Sequence, residues 1–175
     1  RAPKTTALNE TTTPFTFNLT QATSVAAERS NQSTEALFGT VLHEVMAHVD
    51  VPQDFERALS QANAKERLGT TPYERLFKSV QEMLTHEQLA VFFDPANTPY
   101  KERALITANG KVLRPDRFII TKEKNVFLLD YKTGQQHKSH SSQLEEYATC
   151  LRLCGLNVKQ KLLLYCGNSL IFKEV

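Results

Sequence analysis

No apolar run in this 175-residue chain approaches the roughly 18 residues that span a bilayer, so no membrane span is expected. Cysteine is scarce. Cys150, Cys154 and Cys166 are odd in number and lie near the C-terminus, which excludes a disulfide framework and fits a reducing cytoplasm. The opening residues, Arg1-Ala2-Pro3-Lys4-Thr5-Thr6, lack the apolar stretch of a secretion signal and an initiator methionine; the start is read as a cut inside a longer protein. Internal repeats are missing too. What is present is the composition of an ordinary globular protein, of a size that suits one domain with a substantial core.

The net charge of +2 hides an asymmetry. Residues 101–140 hold nine Lys and Arg against four acids, which is +5 there and −3 for the rest. Three of those four acids, Glu102, Asp116 and Asp130, are candidates for one small site. A basic surface around an acidic pocket suits a polyanionic substrate. Lysines and arginines solvating exposed strands would explain the charge equally well.

Residues 1–30, rich in Thr, Asn and Ser, are read as an extended arm with a candidate strand at Phe15-Thr16-Phe17-Asn18-Leu19, and residues 31–175 as a single domain. Ser33 or Thr34 can cap a helix to about Val49, with Leu37, Val41, Val45 and Val49 along one side. Helices are predicted over 52–67 and 72–90, each with a proline in its first turn, separated at Gly69. The period then changes. Strands are predicted over 102–107 and 112–121, joined by an Asn109-Gly110 hairpin, then over 126–132 after a turn at 122–125. The run Val126-Phe127-Leu128-Leu129 marks a strand buried on both faces. A helix over 139–153, closed by Gly155, leads to strands over 158–166 and 169–174 around Gly167-Asn168. A helix crossing between strands implies a mixed sheet with helices packed on it, an α/β (α+β) fold.

Asp130 and Lys132 stand two apart on a strand, so both leave the same face of the sheet. Asp116 comes from the preceding strand. Two acids and an amine converging at a sheet edge make a Mg²⁺ site with a cationic partner, which is what phosphodiester hydrolysis needs. An isolated Asp-x-Lys is most often a surface pair; this one follows an apolar strand, precedes Thr133-Gly134 and trails Pro115-Asp116-Arg117 by one hairpin. Gln143 and Tyr147, at i and i+4, share a helix face. That is also what an ordinary polar face with a half-buried tyrosine looks like. His137, Lys138 and His140, just before them, suit phosphate contacts or a solvated loop.

Gly39-x-x-x-His43, Glu102, Asp116-Arg117, Asp130-Tyr131-Lys132-Thr133-Gly134 and Gln143-x-x-x-Tyr147 follow one another in the order and spacing of a known pattern. The chain resembles the RecB-like branch of the PD-(D/E)xK nuclease superfamily, found as the C-terminal nuclease domain of bacterial helicase–nucleases, over roughly residues 37–166. The resemblance implies a restriction-endonuclease-like core: a central mixed β-sheet flanked by helices, with an N-terminal helical segment. It implies that His43, Asp116 and Asp130 bind Mg²⁺ or Mn²⁺, with the Tyr131 carbonyl as a further ligand. Lys132 would be the catalytic lysine, acting with Asp130, Asp116 and Glu102. Gln143 and Tyr147 would support the site or touch DNA, and Arg117 and Arg114 are assigned to DNA as well. Arg114 stands where the family often has glycine, two residues before the acid, and sets a cation near the phosphate path. The implied activity is a metal-dependent deoxyribonuclease, an exonuclease on single-stranded DNA threaded by an attached or associated helicase in repair and recombination. Some relatives carry an iron–sulfur cluster. Here no cysteine precedes 150 and the later spacings are wrong, so none is expected, and Cys150 and Cys154 are read as core thiols.

Two other readings compete with this one. An inert nuclease fold that grips a DNA end or a partner subunit is disfavoured by the full set of metal and lysine positions. His43-Glu44-Val45-Met46-Ala47-His48 resembles a zinc-protease motif, but the second histidine comes five residues on, about 140° around the helix from His43. Gly39, one turn before His43, is expected to let the helix approach the sheet closely enough to bring the imidazole over the acids.

Overall fold

The structure, a computed structural model, describes residues 19–167 and 169–175, with side chains described from residue 33 onward. Ser33–Val175 makes one compact unit, and the residues up to Gln32 fall in a separate one. Helix α1 spans Leu19–His48. The extended arm expected over 1–30 is therefore corrected from Leu19 on, and its candidate strand lies, apart from Leu19, outside the described residues. Ala26-Ala27-Glu28-Arg29 are strong helix formers, and their helix already runs through Ser33 and Thr34, which sit in its interior rather than at a cap. The buried stripe of α1 is Phe38, Val41, Leu42, Val45 and Met46, at helical spacing, continued by Val49 just past its end; Leu37, placed in that stripe from the sequence, is exposed.

A short turn at Pro52–Asp54 leads into α2 (Phe55–Gln61) and α3 (Ala64–Leu68). The helix expected over 52–67 is broken at Asn63, which takes a left-handed conformation with φ of 46°. α4 spans Thr70–Thr85, with Pro72 in its first turn, and a tighter helical segment follows at Glu87–Phe92. The sheet has the order β1-β4-β5-β6-β7, with β1 Thr98–Lys101, β4 Arg117–Ile120, β5 Asn125–Lys132, β6 Asn157–Cys166 and β7 Leu170–Glu174. Only β5 and β6 pair parallel among these, because α5 (Lys138–Leu153) carries the chain back between them. This is the mixed sheet flanked by helices that the sequence predicts.

The strands expected over 102–107 and 112–121 are shorter and split. Glu102 leaves β1 with a φ of 50°, and Pro115, which has no N–H to give a ladder, interrupts the second run. The released pieces, β2 (Leu105–Ile106) and β3 (Val112–Leu113), pair with each other in a small ribbon turned at Asn109-Gly110, where Gly110 has a φ of 81°.

Two cores cover the two faces of β5. Leu129 and Tyr131, with Ile119, Leu162 and Leu164 of neighbouring strands, pack with α1 to α4. Val126 and Leu128, with Phe118, Leu163 and Tyr165, pack with Leu144, Tyr147, Ala148 and Leu151 of α5. Strand alternation thus aims Asp130 and Lys132 to the α5 side and Tyr131 to the α1 side.

Arg117 overturns one expectation. It is 0% exposed, so it does not contact DNA. Its guanidinium donates to the Phe92 carbonyl at 2.9 Å and to the Met46 carbonyl at 3.2 Å, and also to that of Val49, and it lies over the Phe93 ring at 4.5 Å. The side chain ties the C-terminal end of α1 to the sheet. Cys154 also departs from expectation: Cys150 is buried, whereas Cys154, one turn on, is exposed at the helix end.

Candidate metal centre

Backbone pairing brings the acids together. β1 and β4 pair Lys101 with Arg117, and one residue further on the Glu102 N–H donates to the Asp116 carbonyl at 3.0 Å. β4 and β5 pair Arg117 with Leu129, so the same step sets Asp116 opposite Asp130. Glu102, Asp116 and Asp130 therefore stand in one row across three strands where the ladder ends. The positive φ of Glu102 and the proline before Asp116 end that ladder and free these side chains from continued strand alternation.

His43 closes the row from above. Its Nδ1 is 3.1 Å from Asp116 Oδ1, while the other Asp116 oxygen accepts from the Tyr131 N–H at 2.7 Å. The Tyr131 ring lies edge-on to the imidazole, 6.1 Å between centroids. Ligand atoms of His43, Glu102 and Asp116 all lie within 4.8 Å of one another. Glu102 is therefore the third member of the cluster, the position that the resemblance gives to Asp130. Asp130 sits beneath, only 2% exposed, with Oδ2 at 2.6 Å from Lys132 Nζ. That contact is a close ion pair. Tyr131 enters the site through its N–H, and its side chain is buried on the other face.

Crowding these acids together shifts their protonation despite the nearby cations. Burial, then repulsion from Asp116, pushes the Asp130 carboxyl up to about 6, although Lys132 works against the rise. Burial likewise raises Glu102, helped by Asp116 and opposed by His43 and Arg114. For His43 burial disfavours the charged ring, yet the Asp116 hydrogen bond and the charges of Asp116, Glu102 and Asp130 outweigh it and lift the pKa. An imidazole nitrogen, clustered carboxylate oxygens and a buried carboxylate next to them fit a hard divalent cation such as Mg²⁺ or Mn²⁺.

Lys132 is held on its other side by Gln143, whose Oε1 accepts at 3.0 Å, and Gln143 Nε2 donates to the Tyr147 hydroxyl at 2.6 Å. Tyr147 is almost wholly buried, so its expected DNA contact is corrected to support of Gln143. Gln143 and Arg114 are exposed and flank the same cleft. In the protease-like string, Glu44 is engaged by Arg67 and His48 is exposed, so neither joins His43.

Gly39 behaves as its position predicts. A Cβ there would stand 2.8 Å from Thr133 Oγ1. In the sequence Thr133 stands only as part of the motif after Lys132, with no role of its own. Gly39→Ala gains roughly 1 kcal/mol of helix propensity and spends it pushing α1 off Thr133. The expected outcome is near-unchanged thermal stability with about tenfold weaker Mn²⁺ binding, since His43 sits one turn away. Thr133→Ala in the same chain should restore the binding; calorimetry on the single and double variants checks this.

Asp130 sets a second expectation. With a folded pKa near 6 and an unfolded value near 3.8, the ion-free native state holds more protons than the unfolded chain between those values. Its contribution to stability is full below pH 4 and falls as pH rises toward 6 and beyond. Asp130→Asn should therefore raise the stability in chelator at pH 7 by about 2 kcal/mol, several degrees in melting temperature, and flatten the pH dependence in that window. A melting temperature at pH 7 equal to or below that of the parent would contradict it.

Compared with known proteins, the chain matches the model of the PD-(D/E)XK nuclease superfamily over residues 10–167. A solved structure titled "Crystal structure of SSO0001" is similar at 19% identity, covering 82% of this chain and 77% of that one, with a TM-score of 0.31. A superposition that loose carries no argument. No curated protein matches.

Proposed function

The chain belongs to the PD-(D/E)XK nuclease superfamily, and on that premise we propose that it is a Mg²⁺- or Mn²⁺-dependent deoxyribonuclease of the RecB-like branch. The observation that carries this reading is the meeting of His43, Glu102 and Asp116 beside the buried Asp130–Lys132 pair. His43, Asp116 and Asp130 would hold the ion, with Glu102 and the Tyr131 carbonyl completing its surroundings. A divalent ion bound there supplies a Lewis acid for the phosphate and lowers the pKa of its water.

The remaining work falls to the chain's own side chains. Lys132 Nζ, fixed between Asp130 and Gln143, presents an ammonium where negative charge grows on the phosphate oxygens. Tyr147 holds the Gln143 amide, and so fixes which atom of Gln143 faces the lysine. Arg114, exposed beside the cleft, meets the strand's phosphates. Residues 31–175 act as one nuclease domain. We take the substrate to be single-stranded DNA delivered by an attached or associated helicase, cut exonucleolytically in DNA repair or recombination. Three free thiols suit the cytoplasm as its place of action.

The test is incubation of labelled single-stranded DNA with Mg²⁺ or Mn²⁺, comparing the parent with Asp130→Ala and Lys132→Ala. Cutting by the parent alone is the expected result. DNA left whole by all three leaves an inert end-binding module instead, and equal cutting by all three points to a contaminant.

A further inference from the structure

We propose that His140 at the start of α5 and Lys173 on β7, beside Lys132, form a second phosphate site, which holds the backbone phosphate next to the one being cut. The proposal rests on the nuclease reading above and extends it to the path of the strand. Register places the parts. The parallel pairing of β5 and β6 sets Tyr165 beside Lys132, and the antiparallel pairing of β6 and β7 sets Ile171 opposite Tyr165 and Lys173 opposite Leu163. Leu163 and Tyr165 pack with α5, whereas Leu170 and Phe172 pack on the other face, so Ile171 and Lys173 share the α5 face with Lys132.

His140 lies over this row. Its Nδ1 is 3.1 Å from the Tyr165 hydroxyl, and the two rings are 5.8 Å apart. When the Tyr165 O–H donates to Nδ1, the ring hydrogen is on Nε2 and points away from the tyrosine, available to a phosphate oxygen. The His137 ring stands 6.0 Å from that of His140. After burial, the charges of Lys132, His137 and Lys173 each push the His140 pKa down, which reports how closely these cations crowd it. Lys173 has no ion-pair partner among the described residues, whereas Lys101, Lys111 and Lys161 are each paired with an acid. A cluster of like charge is unfavourable by itself and becomes favourable around an anion. In the order β1-β4-β5-β6-β7 the acids lie along β1, β4 and β5 and Lys173 on β7, so a strand running over Lys132 away from the acids would carry its next phosphate toward Lys173.

The experiment measures anisotropy of a labelled oligothymidylate of about ten nucleotides, in chelator so that no cutting occurs, across a salt series. Lys173→Gln is expected to weaken binding about three- to tenfold and to lower the slope of log K against log salt by about 0.7, the loss of one single-strand phosphate contact. Lys173→Arg should keep the parent's slope, and His140→Ala should weaken binding with little change in slope. Lys78→Gln, an exposed lysine of α4, should leave both unchanged. Parent-like affinity and slope in Lys173→Gln and His140→Ala overturn the proposal, as does a parent that binds no oligonucleotide. Cutting by the parent in Mg²⁺ is scored separately. Cutting with unaltered binding in the variants ends this proposal alone; weakened binding in the variants without any cutting by the parent ends the nuclease reading and keeps the phosphate site.

Discussion

Lys132→Met is expected to reduce cleavage of single-stranded DNA by about a thousandfold while leaving Mn²⁺ affinity equal to or tighter than that of the parent. The reason is positional. Lys132 is not among the groups that gather around the ion; its ammonium occupies Asp130 Oδ2 at 2.6 Å and is steadied by Gln143 at 3.0 Å. Removing it takes away charge stabilisation at the reacting phosphate and frees a carboxylate oxygen for the cation. Gln143→Leu should act in the same direction but by only about tenfold, since it loosens the lysine rather than deleting it. Rates at saturating DNA, set beside Mn²⁺ titrations of the same preparations, check both. A Lys132→Met chain that loses metal affinity as well as rate would show that the lysine organises the acids, and would refute its assignment to the phosphate.

The largest effect on stability should come from Arg117→Met, at about 4 kcal/mol, enough to lower the melting temperature by roughly ten degrees. Methionine fills much of the same space, so cavity formation contributes little. The loss comes chiefly from the carbonyls of Phe92 and Val49, which stay buried without the guanidinium donor; that of Met46 keeps the Val49 N–H at 3.4 Å. Arg117→Lys should recover only part of it, because an ammonium lacks the planar fork that reaches several carbonyls at once. Had Arg117 gripped DNA, the same substitution would lower affinity and leave the melt unchanged, so one thermal scan separates the two roles.

Arg117 also marks where sequence reading stopped. Its neighbour Asp116 was legible because a carboxylate after proline, one hairpin before Asp130-x-Lys132, has few other uses. The destination of the arginine was not, since its partners at the end of α1 and just beyond it lie 71 and 68 positions away and only packing brings them near. Strand β5 could be read because an apolar run flanked by turn residues fixes a buried strand, and period 2 then fixed the common face of Asp130 and Lys132. The α5 boundaries and Gly155 followed from local capping, which needs no tertiary knowledge. Glu102 was assigned to a strand; its left-handed backbone depends on the Asp116 carbonyl it meets across the sheet. Tyr147 looked like a ligand contact because a helix face can be told from sequence but its depth below the surface cannot. Helix α1 began earlier than expected because Ser33 and Thr34 resemble caps wherever they occur, and the helix formers before them carried more weight.

Calorimetric titration of Mn²⁺ into the parent and into Asp116→Ala tests most directly whether α1 and the ends of β1, β4 and β5 build one cation pocket. Saturable binding by the parent, weakened at least tenfold when the Asp116 carboxylate is removed, is the predicted result. Identical heats from the two proteins, or none from the parent at millimolar Mn²⁺, would mean that these side chains meet without forming a metal site.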